Sequence, residues 1–487
     1  LTSGHPISAP LPVSMNVAIL HYHFDRGGVT RVVSSTLEAF QSIPEVHFGV
    51  LSGRPVDCFS VPCAVLPQLN YSAATSHEAD PQALYRDLRE AGRKLFHGSD
   101  PDVWHIHNPA LGKNTAFSYL VHQLIREGCA VLLHEHDFAE DFRPKNYQLR
   151  ESSRPPEVSS FPYSPRARYA VLNQRDASIL RQAGLPSKYL FQLPNPVPVS
   201  SPAASPNPQS DLILYPVRAL ARKNLGEFLL LAHTYGSDLR WESTLPPTNS
   251  AYEPRFRQWC SIAEDLEIPA RLGVAAFEDK PFEDRLIDAR AIVTTSVAEG
   301  FGLSFLEPWT LGRPVFGRDL PEITGEFRSA GIQLDSFYSS FLIPAAAVDR
   351  TKVADLWLES ITSAYAAFEM PPPVSELAEY ADQIRSAEMI DFALLGESLQ
   401  MEALNTIVSK KIPIETPVEI PDSFDPGILS NREKIIKEFS PGAYAQSLLD
   451  IYKTLTDSSP APSENLDPAS VLKSFLHPSR FHPHFVE

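Results

Sequence analysis

The chain has 487 residues, too many for one ordinary domain, and 43% of them are apolar and 10% aromatic, as in soluble globular proteins. Its formal net charge of −17 argues against binding to nucleic acids and against docking on anionic membranes. No apolar run approaches the roughly 20 residues that a membrane-spanning helix needs. We therefore expect two soluble domains and no stable association with a membrane.

The N-terminal residues and the cysteines bear on the cellular compartment. Residues 1–14 lack the charged and apolar regions of a secretion signal, so we interpret them as an extension, with Met15 as the natural start. The four cysteines show no metal-binding spacing and are expected to be free thiols. Both features favour a cytoplasmic protein.

Segments of strand type and helix type alternate over residues 15–200. The predicted strands are 16–21, 46–51, 103–107, 130–134 and 167–172, and the predicted helices are 29–40, 82–97, 114–127 and 174–183. Alternation of this kind predicts a parallel, doubly wound sheet. We therefore assign residues 15–200 to a first Rossmann-like domain.

A Pro- and Ser-rich stretch, residues 194–210, interrupts the alternation and is the best candidate for a linker. The alternation then restarts, which predicts a second Rossmann-like domain over residues 201–430. The predicted strands of this domain are 212–216, 272–276, 291–295 and 314–317, and its predicted helices are 224–233, 253–266 and 282–289.

The end of the second domain is harder to interpret. Residues 335–430 enlarge it, with helical patterns at 353–368 and 374–390 and a proline-rich stretch near 412–426. Residues 431–487 are assigned to a final amphipathic helix, 444–455, and a polar tail.

One segment carries more chemistry than any other: residues 296–309, Ser-Val-Ala-Glu-Gly-Phe-Gly-Leu-Ser-Phe-Leu-Glu-Pro-Trp. It follows a predicted strand, so we expect a strand, a tight glycine turn and a helix. Gly300 and Gly302 allow a ligand to approach the backbone, and the N–H groups at the helix N-terminus favour an anion. Glu299 in the turn and Glu307 about one turn into the helix would face the same crevice. A ligand with both phosphate and hydroxyls, such as a sugar nucleotide, suits these groups.

Further segments extend this motif into a pattern that spans the chain. They are Gly27-Gly28-Val29 after the first strand, His136-Asp137 at a strand end, Pro194-Asn195-Pro196-Val197, the basic pair Arg218 and Lys223, Gly312-Arg313-Pro314-Val315, Pro321-Glu322-Ile323 and the closing helix 444–455. With these segments the chain resembles the large family of retaining, nucleotide-sugar-dependent glycosyltransferases that have the GT-B fold and a Glu-x7-Glu motif. The resemblance covers most of residues 15–325 and the closing helix.

The resemblance implies an α/β protein with two doubly wound Rossmann-like domains that face each other across a crevice. The first domain would bind the acceptor and the second the nucleotide sugar, while the C-terminal helix would cross back to the first domain. Residues 335–430 exceed the usual length of the family's donor domain, so we carry nothing over to them. Pro308 also departs from the family, and it is expected to kink the helix about one turn from its start. A third departure is Pro196 where a glycine would usually follow Asn195.

The resemblance also implies a donor site in the second domain. Arg218 and Lys223 would neutralise the leaving diphosphate, so that no metal is required. Glu299 would hold hydroxyls of the transferred sugar near C3, and Glu307 would accept hydrogen bonds from the ribose. The other donor-binding residues implied are Gly27, Gly28, Asn195, Gly300, Phe301, Gly302, Leu303 and Ser304.

His136 would contact the donor sugar near its 6-hydroxyl, with His134 as the rival for this role. In the family's proposed same-face route, the leaving phosphate deprotonates the acceptor and the anomeric configuration is retained. The residues predicted to act in catalysis are Glu299, His136, Arg218 and Lys223.

The strand that contains His105 and His107 places both imidazoles on one face, which invites a metal interpretation. No further ligand has a suitable spacing, and a strand ending in His107-Asn108 more simply lines the acceptor site or has a structural role. Asp137 would orient a histidine or bind the acceptor. The acceptor-binding candidates are His107, Asn108, Lys113 and Asp137, and no metal site is expected.

The sequence therefore predicts a cytoplasmic, metal-independent, retaining hexosyltransferase that uses no cofactor. The donor would be a nucleoside diphosphate sugar, with UDP favoured and GDP possible, and the acceptor a small soluble molecule with a hydroxyl, such as a sugar or polyol acid. A GT-B epimerase or phosphorylase stays an alternative, as does a two-lobed sugar-binding protein without catalysis. The identity of the hexose and the oligomeric state are left open.

Overall fold

The computed structural model describes residues 14–25, 27–72, 80–199 and 209–485. Nearly all of the predicted N-terminal extension and residues 200–208 of the predicted linker lie outside these ranges. Within the described residues, no helix has both the length and the apolar character required to cross a bilayer.

Strands and helices alternate through the first domain. In chain order they are β1 (Met15–His21), α1 (Gly28–Ala39), β2 (Val46–Ser52), β3 (Cys63–Val65), α2 (Pro81–Leu95), β4 (Val103–His107), α3 (Phe117–Arg126), β5 (Val131–Glu135), α4 (Pro144–Ser153), β6 (Pro162–Tyr163), β7 (Ala167–Val171), α5 (Gln174–Gln182) and β8 (Leu190–Gln192). Seven strands form a parallel sheet in the order β3-β2-β1-β4-β5-β7-β8. Strand β1 is apolar at consecutive positions because the sheet is buried on both faces.

The second domain repeats this architecture. Its elements are β9 (Leu212–Arg218), α6 (Leu225–Tyr235), β10 (Arg240–Leu245), α7 (Glu253–Asp265), β11 (Ala270–Arg271), α8 (Phe282–Asp288), β12 (Ala291–Thr294), α9 (Glu307–Thr310), β13 (Val315–Arg318), α10 (Pro321–Ser329) and β14 (Phe337–Tyr338). Six parallel strands are ordered β11-β10-β9-β12-β13-β14. The predicted fold class, an α/β protein with two Rossmann-like domains, is confirmed.

The remainder of the chain enlarges the second domain and then returns to the first. Its elements are β15 (Leu342–Pro344), α11 (Arg350–Ala367), α12 (Val374–Ser386), β16 (Met389–Asp391), α13 (Glu397–Lys410), α14 (Gly427–Phe439), α15 (Pro441–Thr456), β17 (Glu464–Asn465) and α16 (Pro468–Phe475). Helix α15 is the predicted closing helix, and its Tyr444, Leu448 and Tyr452 pack in one apolar cluster with Val17 and Val33 of the first domain. Strand β17 then pairs antiparallel with β6.

Two predicted elements are wrong in their details. No strand forms at 272–276: the short β11 ends at Arg271, and a 3-10 turn follows at Val274–Ala276. Gly273 adopts a left-handed conformation with φ of 70°, which ends the extended backbone. The helix predicted at 374–390 stops at Ser386. Its last apolar residue, Ile390, is buried in the antiparallel pairing of β15 with β16, so a local strand pairing replaces the helical continuation.

Candidate functional site

Two adjoining cavities lie at the carboxyl ends of the parallel strands, where ligands bind in open α/β sheets. Cavity I has a volume of about 300 Å³, and cavity II has a volume of about 510 Å³. Glu299 lines both cavities. Cavity I is lined by Arg31, Asn195, Pro216, Val217, Arg218, Lys223, Phe282, Leu286, Glu299, Phe301, Gly302, Leu303, Ser304, Glu307 and Pro308.

Cavity II lies between the two domains and the C-terminal segment. Its walls from the first domain carry residues 136–138, residues 141–143 and Arg175. Its walls from the second domain carry residues 297–300 and 320–323, together with Leu220 and Arg222 of one loop. Residues 479–484 of the C-terminal segment complete it, with the exception of Pro483. A ligand in cavity II therefore contacts parts of the chain that are more than 300 positions apart in sequence.

The glycine turn shapes the boundary between the cavities. Gly302 has φ of 89°, and a Cβ there would lie 2.8 Å from the Phe305 ring, so the turn requires glycine. At Gly300 a Cβ would lie 3.4 Å from the carbonyl oxygen of His136 in the first domain. The Gly300 carbonyl also accepts a hydrogen bond from Asn173 Nδ2 at 2.8 Å. The turn is thus fixed against the first domain and does not lie free in solvent.

Pro308 does not kink a helix. Helix α9 begins at Glu307 and has four residues, so Pro308 lies in its first turn, after a 3-10 turn at Leu303–Phe305. The N–H that proline lacks would have no intrahelical partner in a first turn, so the proline costs no hydrogen bond there. The expected kink is therefore wrong, and so is the expectation that Glu307 lies one turn inside a longer helix.

In the wall of cavity I, an ion pair between Lys223 and Glu299 joins the loop after β9 to the glycine turn. The Lys223 ammonium donates to Glu299 Oε1, and both side chains are about nine-tenths buried, at 12% and 11% exposed. Burial would raise the pKa of the Glu299 carboxyl, but the charges of Lys223 and Arg222 outweigh it and lower that pKa below its usual range. Glu299 is therefore ionised at neutral pH and can accept hydrogen bonds from hydroxyls.

Backbone contacts hold Lys223 in place. The Lys223 carbonyl accepts hydrogen bonds from Tyr215 Oη at 2.8 Å and from Thr295 Oγ1 at 3.0 Å. The Val297 N–H donates to the Arg222 carbonyl at 2.9 Å. These bonds tie the loop after β9 to the end of β12, so the cations and Glu299 keep a fixed spacing.

Three predicted residues present polar groups to cavity I that have no partner among the described residues. Arg218 forms no ion pair with any described residue. Asn195 Oδ1 and Ser304 Oγ are buried without a hydrogen bond. Buried polar atoms normally have partners, so these groups are available to a ligand. Cavity I thus offers a cation, a hydrogen-bond acceptor and a hydroxyl, beside the paired Lys223 and Glu299.

Glu307 meets a residue that the sequence interpretation missed. Arg31 of α1 donates to both carboxylate oxygens of Glu307, one of them at 3.2 Å, and so links the first domain to the second across cavity I. Gly27 and Gly28 do not line either cavity, but they start the helix turn that carries Arg31. The available signal was the position of Arg31, which lies one helical turn after the glycine pair that the family resemblance singles out.

His136 lines cavity II at the end of β5. Its Nε2 lies 2.8 Å from His107 Nδ1, and its backbone N–H donates to Asn108 Oδ1 at 2.7 Å. Burial lowers the pKa of His136 from 6.5 to about 4, so the imidazole is neutral at physiological pH. His136 can therefore exchange hydrogen bonds with a ligand but does not present a positive charge.

The structure places the acceptor-binding candidates at different depths. His107 and Asn108 are buried behind His136 and line neither cavity I nor cavity II. His107 Nδ1 contacts the His136 ring, and Asn108 Oδ1 accepts hydrogen bonds from the backbone N–H groups of His136 and Asp137. Asp137 does line cavity II and is paired with Arg143 at 2.5 Å. Lys113 Nζ lies 5.4 Å from the centre of the Tyr71 ring, outside both cavities. Of this set, the described structure brings only Asp137 to a cavity wall, and the binding roles stay predictions.

Histidines from β4 and β5 form a buried stack. Nitrogens of His105, His107 and His134 lie within 4.8 Å of one another, which is a spacing that a metal ion could use. However, His105 Nε2 already lies 3.0 Å from His134 Nδ1, and His105 Nδ1 lies 2.7 Å from Tyr452 Oη. His107 Nε2 and His134 Nε2 are buried without a hydrogen-bond partner, so a metal held by the three rings would have to replace one of the two contacts of His105. The absence of a metal site stays a prediction.

Comparisons with known proteins agree with this architecture. No family model matches the chain. A curated relative, the mannosylglucosyl-3-phosphoglycerate synthase of Petrotoga mobilis, is 26% identical over 426 residues, which are 79% of this chain and 80% of the relative.

Solved structures show the fold. The Anabaena protein HepE, in complex with UDP and glucose, superposes with a TM-score of 0.52 at 11% identity over 90% of this chain and 100% of that one. Sucrose-phosphate synthase from Thermosynechococcus elongatus gives a TM-score of 0.51 at 14% identity over 91% and 99%. A glycosyltransferase from Rickettsia africae gives 0.51 at 12% identity over 92% and 100%. The chain has the GT-B fold that these proteins share.

Proposed function

We propose that this protein is a glycosyltransferase that moves a hexose from a nucleoside diphosphate sugar to a hydroxyl of an acceptor, with retention of the anomeric configuration. The observation that carries the proposal is that Glu299 lines both cavities and is ion-paired with Lys223. Cavity I takes the nucleotide, cavity II takes the acceptor, and the transferred sugar lies at Glu299 between them. The curated relative, itself a synthase of a glycosylated compound, supports this class of reaction.

The leaving group is the chemical problem that cavity I addresses. As the bond between C1 of the sugar and the diphosphate oxygen breaks, negative charge grows on the diphosphate. Arg218, which has no carboxylate partner among the described residues, and Lys223 stabilise this charge in the transition state. Two fixed cations suffice for this role, so the reaction is proposed to need neither a metal nor a cofactor.

The second half of the reaction forms the new bond on the same face of the sugar. The acceptor oxygen bonds to C1, and its proton passes to an oxygen of the leaving diphosphate, so no protein base is required. Glu299 holds ring hydroxyls of the sugar, and the neutral His136 holds a further hydroxyl by hydrogen bonding. Neither residue acts as a nucleophile in this proposal.

Nucleotide binding requires a local rearrangement. Glu307 is proposed to accept hydrogen bonds from the ribose hydroxyls, but its carboxylate is bound by Arg31 in this structure. Arg31 is 42% exposed, so it can move into solvent at little cost. Glu307 is 11% exposed and stays in place when the ribose takes over the contacts.

The proposed acceptor is a small soluble molecule with a free hydroxyl, such as a sugar or a polyol acid. The relative is named for a product that joins sugars to phosphoglycerate, which supports this class. UDP is the proposed nucleotide, with GDP as the alternative. Thermal-shift measurements with UDP, GDP and ADP rank the bases, because a bound ligand raises the melting temperature.

The decisive test is turnover. The protein is incubated with UDP-glucose, UDP-galactose or GDP-mannose and with glycosylglycerates as acceptors, in the presence and absence of EDTA. We expect release of nucleoside diphosphate and a new glycoside with the donor's anomeric configuration by NMR, unaffected by EDTA. Phosphate-dependent breakdown of a glycoside, interconversion of the sugar nucleotide, or binding without any turnover would each refute transfer and identify a phosphorylase, an epimerase or a binding protein.

A further inference from the structure

Four guanidiniums line cavity II, and most of them are neutralised within the protein. They belong to Arg143, Arg175, Arg222 and Arg480. Arg143 binds Asp137 at 2.5 Å. Arg175 and Arg480 flank Asp141 at 3.6 and 3.1 Å, and both also approach Glu322, at 3.8 and 3.4 Å.

Arg222 differs from the other three because it forms no ion pair with any residue that the structure describes. Its Nε, like that of Arg480, is buried without a hydrogen-bond partner. The remaining carboxylate that lines cavity II, Glu299, is bound by Lys223. Arg222 is therefore the cation of this cavity that the described carboxylates leave unpaired, and an unsatisfied buried donor is costly unless a ligand binds it.

The loop after β9 directs neighbouring cations to different cavities. Arg222 and Lys223 both lie in the 3-10 turn Ala221–Lys223, yet Lys223 lines cavity I and Arg222 lines cavity II. Arg222 does not line cavity I, where Arg218 faces the proposed diphosphate. The position of Arg222 thus favours a ligand in cavity II over the nucleotide.

We propose that Arg222 binds an oxyanion of the acceptor, a phosphate or a carboxylate, and so makes the enzyme specific for acidic acceptors. The proposal rests on the proposed function for its assignment of cavity II to the acceptor. A guanidinium suits this role because its planar fork can donate two parallel hydrogen bonds to a phosphate or a carboxylate. Since Arg222 adjoins Lys223, the anion would be held close to the reacting hydroxyl, which orients the acceptor for transfer.

The test measures binding and needs no turnover. Three probes share one sugar and differ in charge: glucosyl-3-phosphoglycerate, glucosylglycerate and glucosylglycerol. Calorimetry compares their affinities for the native protein, for Arg222→Gln and for Arg222→Lys. A matched control is Arg257→Gln, on the 76% exposed side chain of α7.

We expect Arg222→Gln to bind an acidic probe on the order of 10- to 100-fold more weakly than the native protein does, as for the loss of a charged hydrogen bond. The affinity for glucosylglycerol should change less than about threefold. Arg222→Lys should recover part of the loss, because a charge remains but the fork does not. If the native protein binds glucosylglycerate more tightly than glucosylglycerol, the carboxylate is the bound group. If it prefers only glucosyl-3-phosphoglycerate over glucosylglycerol, the phosphate is the bound group.

Three results overturn the proposal. The first is equal affinity of the native protein for all three probes. The second is an acidic probe that binds Arg222→Gln as tightly as it binds the native protein. The third is a loss of UDP and GDP binding in Arg222→Gln with acceptor affinity intact, which would assign Arg222 to the diphosphate. Absence of transfer with Arg222-dependent binding of acidic probes would refute only the proposed reaction, so the two failures are distinguishable.

Discussion

Cavities I and II share Glu299, and each leaves one cation without an ion pair among the described residues, but cavity II holds more paired guanidiniums. In the part of the chain that the structure describes, the groups of cavity I without partners are Arg218, Asn195 Oδ1 and Ser304 Oγ. Cavity II pairs all but one of its guanidiniums with carboxylates, and Arg222 is the exception.

The contrast indicates how each ligand is recognised. The diphosphate of the donor needs a free cation, whereas the sugar part of an acceptor is recognised by groups that already hold one another in place. We therefore expect substitutions in cavity I to affect donor chemistry strongly. Substitutions of the paired residues in cavity II should mainly affect the shape of the acceptor site.

The largest expected effect is at the shared boundary. Glu299→Ala and Lys223→Ala should each lower kcat on the order of 100-fold or more, as for loss of one group that stabilises a transition state. Steady-state kinetics with a fixed acceptor measure the change. The controls are Lys223→Arg, which keeps the charge, and the surface variant Arg257→Ala. Near-normal turnover in both Glu299→Ala and Lys223→Ala would refute the assignment of the donor site.

Arg218→Ala should lower kcat/KM for the sugar nucleotide by about 10- to 100-fold, because it removes a cation that faces the diphosphate. The KM for the acceptor should stay unchanged, and this is what separates the two cavities. If acceptor KM rises instead while the donor parameters hold, cavity I has been assigned to the wrong substrate.

The stability of the protein should depend on pH through His136 in the wall of cavity II. The folded-state pKa of His136 is about 4, below the ordinary value of 6.5, so the unfolded chain binds more protons between these pH values. Stability contributed by the neutral ring is complete above about pH 6.5 and is lost as the pH falls toward 4.

Urea denaturation at pH 7 and pH 5 measures this loss. Between pH 7 and pH 5, the free energy of unfolding should fall by about 1–2 kcal/mol less in His136→Asn than in the native protein. His47→Gln, at an exposed position of β2, is the control and should behave like the native protein. An identical pH dependence in His136→Asn and the native protein would show that the ring does not stay neutral in the fold.

The smallest effect is expected at Arg31. Because Arg31 occupies the Glu307 carboxylate, Arg31→Ala should tighten UDP binding by at most about fivefold, the range of an exposed ion pair. Calorimetry measures the change, and the control is Arg54→Ala, which removes a similarly exposed arginine that pairs with Asp25 outside cavity I. Weaker UDP binding in Arg31→Ala would mean that Arg31 contacts the nucleotide itself.

Much of cavity I could be predicted from the sequence because its residues are close together in the chain. Glu299 to Glu307 form one turn, and Arg218 and Lys223 belong to one loop, so their spacing in sequence sets their spacing in space. All of the predicted donor-binding residues except Gly27, Gly28 and Gly300 line this cavity. Pro308 was misjudged for a local reason, because the 3-10 turn before it shifts the start of α9 to Glu307.

Cavity II could not be predicted in the same way. Its walls come from both domains and from residues 479–484, and nothing in the sequence of that tail signals that it returns to the site. Burial behind His136 also removed His107 and Asn108 from the surface, although alternation on β4 placed His105 and His107 correctly on one face.

By itself the sequence determined the two parallel sheets and the charged turn at their edge, since hydrophobic periodicity and glycine position act over a few residues. Only the tertiary structure decided which charges remain free. Among the described residues, Arg218 and Arg222 form no ion pair, whereas Arg480 is neutralised by Asp141 and Glu322, which are far away in the chain. The reason is physical: the charge that a side chain offers to a ligand depends on its neighbours in space, and these neighbours are set by how the domains and the C-terminal segment pack.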